Sequence, residues 1–199
     1  SAYDDLRTCP YRFFAQRQLG LQEMDELDTL VDKRDLGVWL HAVLADFHTT
    51  LARQPEAMRD ARRACLDEAS ERVTAALQLP ADEFLPFAAA WPALREGYLC
   101  WLEEHENQGM VFVAAETEHR VPHTVGDGGS AWPIELFGRI DRTDRQTTAD
   151  GSAAVTWLLD YKTESRGRTQ QRVKEPLEET QLAFYGALLE DSAVQAAFV

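Results

Sequence analysis

The sequence predicts an α+β fold, in which a helical first part is followed by strands and a closing helix. Apolar residues recur every three or four positions between 36 and 52, which is the period of an amphipathic helix. After Gly109 the pattern changes to short stretches in which apolar and polar residues alternate, as in half-buried strands. The pair Asp150-Gly151 separates two of these stretches and is typical of a tight hairpin turn. We therefore expect a small mixed sheet flanked by helices, with a helical insertion.

Length and composition indicate a single globular domain over residues 1–199. Hydrophobic residues make up 45% of the chain and charged residues 27%, which excludes wholesale disorder. No apolar run approaches the roughly 20 residues of a membrane span, and no secretory signal is visible, so we expect no membrane partner. Three cysteines without paired spacing indicate a reducing compartment, and hence a cytoplasmic location. The net charge of −14 argues against broad electrostatic attraction to nucleic acid.

The helical part carries most of its apolar residues at helical spacing. Its predicted elements are a helix at 1–21, a polar acidic loop at 22–35, and helices at 36–52, 56–78 and 88–107. The candidate core residues of the first helix are Leu6, Phe13, Phe14 and Leu19.

Strands dominate the second part. The predicted elements are strands at 110–121, 134–144 and 154–163, a turn-rich connection at 121–133, a basic flexible stretch at 164–174, and a helix at 177–190. Leu136, Gly138 and Ile140 are expected on one face of the middle strand, and Arg139 and Asp141 on the other.

The hairpin turn fixes which residues of its two strands lie opposite each other. With Asp150-Gly151 as the turn, Asp141 lies directly opposite Asp160 on the same sheet face. Two opposed carboxylates repel each other, and a divalent cation such as Mg²⁺ or Mn²⁺ between them would remove that repulsion. Lys162, on the same face, could then neutralise charge that develops on a phosphate. The alternative is a solvated polar face whose charges align by chance.

These residues, with other motifs in the same order, resemble the PD-(D/E)xK nuclease superfamily, and more closely its RecB-type branch from helicase–nuclease repair enzymes. The motifs are CPYRFF (9–14), LGVWLHAVLADF (36–47), AAETEHRV (114–121), FGRIDRTD (137–144) with DYKT (160–163), and ETQLAFYGALL (179–189). The resemblance implies an α/β/α restriction-endonuclease-like core. Residues 36–52 and 109–191 would form this core, and 56–107 would form a helical accessory lobe.

The resemblance also implies a role for each matched position. Asp141 and Asp160 would hold the metal, with His41 as a third ligand and the carbonyl of Tyr161 as a fourth. Lys162 would orient the attacking water and stabilise the charged phosphoryl group. The remaining assignments are Gln181 and Tyr185, behind the site and in contact with Lys162 or DNA, and Glu116, as a supporting carboxylate with Glu118 as its alternative.

The implied function is a Mg²⁺-dependent (or Mn²⁺-dependent) DNA nuclease, most simply an exonuclease of repair or recombination acting on single strands or duplex ends. A local basic run would contact the phosphate backbone; it comprises Arg166, Arg168, Arg172 and Lys174. The chain begins and ends close to its outermost motifs, so we expect a piece of a larger polypeptide with helicase-like regions. Some relatives hold an iron–sulfur cluster through one cysteine near Cys9 and three after the last helix, and without such a trio no cluster is expected here.

Four questions stay open at this point. The fold could serve as a catalytically silent DNA-binding or scaffold domain of a helicase–nuclease complex. The substrate could be RNA or another phosphodiester. The sequence decides neither exonuclease against endonuclease action nor the use of one metal ion against two.

Overall fold

The computed structural model describes residues 2–21, 33–54, 58–79, 84–126, 131–146, 155–163, 166–174, 181–189 and 194–199. The helices are α1 (Ala2–Thr8), α2 (Pro10–Phe13), which continues into a π-helical turn (Phe14–Gln18), α3 (Lys33–Leu51), α4 (Arg59–Ala76), α5 (Leu85–Asn107), α6 (Arg166–Lys174) and α7 (Gln181–Ala187). The strands are β1 (Met110–Val125), β2 (Trp132–Gln146), β3 (Val155–Asp160) and β4 (Val194–Phe198).

The four strands form one mixed sheet in the order β1-β2-β3-β4. The first three strands are antiparallel, and β4 pairs parallel to β3. Together with the flanking helices this is the predicted α+β architecture.

The register between β2 and β3 is the predicted one. Arg142 lies opposite Leu159, and Gln146 lies opposite Val155. Continued by one residue, this register brings Asp141 to Asp160, where β3 turns to pair with β4. The turn at Asp150-Gly151 itself lies outside the described residues.

One face of the sheet packs on a helical cluster formed by α3, α4 and α5. The buried side chains of this cluster include Trp39, Val43, Phe47, Leu66, Leu99 and Leu102, and Tyr161 from the end of β3 joins them. The predicted amphipathic stripe of 36–52 is therefore the core-facing side of α3. It brings His41, beside this stripe, to the end of β3, where its ring contacts the Tyr161 carbonyl.

A second, smaller core lies between the sheet and α7. Ile140 and Leu158 pack here against Tyr185 and Leu188. Gly138 belongs to this face, because a Cβ added to it would lie 2.6 Å from the Leu188 side chain. Arg142, two residues beyond Ile140, instead contacts the opposite helical cluster. The strict alternation predicted for β2 therefore fails at Asp141, where three consecutive residues are buried.

Two elements differ from the sequence-based expectation. Residues 194–198 form β4, which was not predicted, and it pairs with the strand that carries Asp160. The basic stretch predicted to be flexible contains the helix α6.

The chain start and the first hairpin also differ. The predicted core residues Leu6, Phe14 and Leu19 are 45%, 51% and 56% exposed, so the predicted packing of this region is wrong. The predicted connection at 121–133 is mostly strand, because β1 runs to Val125 and β2 begins at Trp132. Most of the predicted acidic loop lies outside the described residues.

Candidate metal centre

Three side chains that could hold a metal ion meet at the junction of α3, β1 and β2. His41 Nδ1 lies 3.4 Å from Asp141 Oδ1 and 3.6 Å from Glu116 Oε1. The donor atoms of the three residues all lie within 4.8 Å of one another. Neighbouring ligands of an octahedral ion with bonds of about 2.1 Å lie about 3 Å apart, and opposite ligands about 4.2 Å apart, so the three donors lie near the spacing that one cation needs.

His41 is oriented by the backbone of β3. Its Nε2 donates to the carbonyl of Tyr161 at 3.1 Å, which leaves Nδ1 facing the two carboxylates. Burial alone would lower the pKa of His41, but the facing carboxylates of Asp141 and Glu116 outweigh it and raise the pKa to about 10. Tyr161 was predicted to contribute its carbonyl as a ligand. In this structure the carbonyl accepts the hydrogen bond that orients the His41 ring, and its role as a ligand stays a prediction.

Glu116 is held in an unusual backbone conformation. Its φ of 50° lies in the left-handed region, which disfavours residues with a Cβ. Oε2 accepts from Arg139 Nε at 2.9 Å, whereas Oε1 is buried without a hydrogen-bond partner and faces His41. A buried carboxylate oxygen without a donor is what a bound cation would satisfy. Glu118, the alternative considered from the sequence, is exposed.

A second group of polar side chains surrounds Asp160. Its Oδ1 accepts from Gln181 Nε2 at 2.6 Å and from the Tyr185 hydroxyl at 3.1 Å. Its Oδ2 forms an ion pair with Lys162 Nζ at 2.5 Å. Gln181 also accepts from Lys162 Nζ at 2.8 Å and donates to the Tyr185 hydroxyl at 2.8 Å. The structure therefore brings the four predicted residues of DYK and the Q…Y helix into one network.

The two groups are adjacent. Asp141 Oδ2 accepts from the backbone N–H of Tyr161, the residue after Asp160, at 2.9 Å. Burial and the negative charge of Asp141 raise the pKa of Asp160 above its usual value, although Lys162 opposes the shift. The predicted repulsion between the two aspartates is thus present in the fold. Asp160 lies beside the three-donor set rather than within it.

A buried polar network lies behind Tyr161, and no role was predicted for its other members, although Arg142 and Asp144 fall within the FGRIDRTD motif. Arg142 donates to Asp144 through Nε at 2.7 Å and Nη2 at 2.8 Å, and Nη1 donates to the Tyr98 hydroxyl at 3.0 Å. The Tyr98 hydroxyl lies 2.9 Å from that of Tyr161, and His105 Nε2 lies 2.7 Å from Asp144 Oδ2. The network ties Tyr161, which lies between Asp160 and Lys162, to the helical cluster. Its sequence signal is weak, because Arg142 and Asp144 have the spacing of an ordinary solvated strand face.

The predicted DNA-contacting residues lie on or at the ends of α6. Arg168 and Lys174 are exposed, and the side chains of Arg166 and Arg172 lie outside those described. Lys174 borders a surface depression that it shares with Phe198 of β4.

Fold and site together define a class of protein, and comparison with known families identifies it. A family model of the PD-(D/E)XK nuclease superfamily matches residues 1–198, and the chain belongs to this superfamily. The chain is also similar to an ATP-dependent helicase/deoxyribonuclease subunit of Acetivibrio thermocellus, with 27% identity over 175 residues. This match spans 81% of the chain but only 15% of the relative.

Two further observations bear on the remaining expectations. Among the described residues, no helix combines the length and the apolar character that crossing a bilayer would need. The three cysteines carry free thiols, and Cys100 is exposed.

Proposed function

We propose that this chain is a divalent-metal-dependent DNA nuclease domain with exonuclease action. The observation that carries the proposal is the convergence of His41, Glu116 and Asp141 on one point, beside the network of Asp160 and Lys162. These donors fit Mg²⁺ or Mn²⁺, because the two carboxylates are hard oxygen ligands and the imidazole is tolerated by Mn²⁺. A cation held there would lower the pKa of a bound water and polarise a phosphoryl oxygen.

The chain's own residues would position the substrate and stabilise the transition state. Lys162 Nζ, held by Asp160 and Gln181, presents a fixed positive charge to the scissile phosphate. Tyr185 holds Gln181 from behind and so limits the movement of Lys162. Tyr161, through its carbonyl and N–H, keeps His41 and Asp141 in register with each other.

The wider setting is also proposed. The relative's name joins an ATP-dependent helicase to a deoxyribonuclease, so we infer a DNA substrate and helicase-like regions as partners. With a net charge of −14, the domain depends on local cations such as those of α6, and on delivery of DNA by such partners. The three free cysteines fit work in the reducing cytoplasm.

The test is cleavage of end-labelled linear DNA with Mg²⁺, Mn²⁺ or EDTA. Asp141→Asn and Lys162→Met are expected to lower the rate by about 10²–10³-fold or more. The matched control is Asp46→Asn, which makes the same chemical change at a surface ion pair with Arg72 and should leave cleavage unchanged. Circular single strands should resist cleavage if the action is exonucleolytic.

Calorimetric titration with Mn²⁺ separates the two candidate functions. We expect Asp141→Asn to lose Mn²⁺ binding and Lys162→Met to keep it, because lysine presents a charge but no ligand. Cleavage that persists in EDTA, or in Asp141→Asn, would refute the proposal. Mn²⁺ binding without cleavage of any DNA would favour the catalytically silent scaffold.

A further inference from the structure

A cavity of about 740 Å³ opens beside the candidate metal centre, between α3, α5 and the end of β4. Its volume falls within the range of small-molecule sites, about 300–1,000 Å³. The walls are apolar and aromatic; they include Leu40, Trp91, Leu94, Trp101 and Phe198. The mechanism proposed above uses none of these five side chains.

Lys162 connects the cavity to the site of chemistry. It is the one charged residue among the described residues that line the cavity. Its Nζ lies 5.0 Å from the centre of the Phe198 ring and 2.5 Å from Asp160 Oδ2. A phosphate held by Lys162 would therefore have its attached nucleoside at the mouth of an aromatic cavity.

Phe198 also continues the wall toward the basic helix α6. The ring borders a second depression, together with Lys174 and Thr169 of α6 and Ala196 of β4. A strand whose phosphates follow the exposed cations of α6 would thus pass over Phe198 before it reaches Lys162. Cations along a path that ends at aromatic side chains are the arrangement that binds single-stranded nucleic acid.

We propose that this cavity binds an unstacked nucleobase of the DNA strand, next to the phosphate that is cleaved. The inference rests on the proposed nuclease function and deepens it, because a paired base inside a duplex cannot enter the cavity. Recognition would be tolerant of sequence, since every base has an aromatic face and the described lining offers few hydrogen-bonding groups.

Gly97 gives a way to fill the cavity without disturbing the core. It lies on α5 in the cavity wall, and a Cβ added there would meet no atom within 4 Å. Gly97→Phe should therefore fold and occupy the space proposed for the base. Gly97→Ala is the matched control, because it makes the same backbone change with a side chain too small to fill the cavity.

The experiment measures the dissociation constant of each variant for two fluorescein-labelled oligomers by anisotropy, with Ca²⁺ as the cation. One oligomer is an oligothymidylate of about 20 nucleotides, and the other is an abasic chain of the same length. We expect Gly97→Phe to weaken oligothymidylate binding about tenfold and to leave abasic binding unchanged. Gly97→Ala should match the unaltered protein on both oligomers.

The proposal is overturned if Gly97→Phe, shown to be folded by circular dichroism, binds oligothymidylate as tightly as Gly97→Ala does. It is also overturned if binding of both oligomers falls equally, or if the unaltered protein does not distinguish them, since the cavity would then sense no base. Mn²⁺-dependent cleavage is measured separately on the unaltered protein. If the unaltered protein does not cleave DNA, the result counts against the nuclease function. If it cleaves DNA but Gly97→Phe binds oligothymidylate as tightly as Gly97→Ala does, the result counts against the base site alone.

Discussion

Cation binding at the candidate centre should release a proton from His41. Both ring nitrogens face acceptors, Tyr161 O on one side and the carboxylates of Asp141 and Glu116 on the other, and its pKa is raised to about 10. At neutral pH the metal-free ring is therefore an imidazolium. A metal ion needs the Nδ1 lone pair, so each ion bound must displace one proton.

The magnitude follows from this competition. Between pH 6.5 and the pKa near 10, the affinity for Mn²⁺ should rise about tenfold per pH unit, or about 1.4 kcal/mol per unit. Calorimetry at a single pH in two buffers with different ionisation enthalpies would give the number of protons released, which we expect to be about one. The control is His123→Gln, a change at an exposed histidine of β1. This variant should still release the His41 proton when Mn²⁺ binds.

In the metal-free protein, the contribution of His41 to the free energy of unfolding falls as the pH rises, whereas the affinity for Mn²⁺ rises. Because the folded pKa of His41 lies above the unfolded value of 6.5, its pairing with the carboxylates stabilises the fold fully below pH 6.5 and is lost as the pH rises through about 10. The free energy of unfolding of the EDTA-treated protein should therefore fall as the pH rises through about 10. The His41→Gln variant should lack this loss. A flat affinity for Mn²⁺ between pH 6.5 and 8.5, with no proton release, would refute the role of His41 as a ligand that loses a proton when the metal binds.

Three further changes test the structure around the site, each by urea unfolding. Asp144→Ala leaves the Arg142 guanidinium buried without its partner and should cost about 3–5 kcal/mol, whereas Arg72→Ala at an exposed pair should cost less than about 1 kcal/mol; equal losses would contradict the burial argument. Gly138→Ala should cost about 1–3 kcal/mol, because its Cβ would lie 2.6 Å from a buried α7 side chain, and a neutral result would show that α7 yields freely. Glu116→Gly should be more stable than Glu116→Ala by about 1 kcal/mol, because a Cβ is strained at the left-handed φ of 50° and this strain outweighs the greater flexibility of unfolded glycine; the reverse order would mean that the strand straightens.

Local rules were sufficient for the centre of the sheet. The register predicted from a two-residue turn is the register that β2 and β3 show, and it brings the two aspartates next to each other. The apolar period of 36–52 predicted which side of α3 is buried, and so where His41 lies. Both predictions depend on contacts that are close in sequence or on a strong period, which is why they needed no knowledge of the tertiary structure.

Elements whose stability comes from distant partners were missed. The five residues of β4 have no alternation of polar and apolar side chains, and the strand forms because β3 offers a free edge. Leu6 and Phe14 were expected to be buried because they are large apolar residues of a predicted helix, but apolar character does not reveal whether a partner surface exists. The Arg142–Asp144 pair was missed for the same reason, since only the packing of α5 against the sheet makes it a buried pair.

Charge balance explains how the site can hold three carboxylates together. Glu116, Asp141 and Asp160 face three cations, Arg139, protonated His41 and Lys162, so the cluster is neutral as a whole. Exchange of the His41 proton for a divalent ion adds one positive charge where a phosphate would approach. The same exchange would place a cation beside Glu116 Oε1, which has no hydrogen-bond partner. Binding of the cation would thereby offset the cost of the left-handed backbone of Glu116. The left-handed backbone of Glu116 and the raised pKa of His41 thus belong to one arrangement, which a bound cation would relieve.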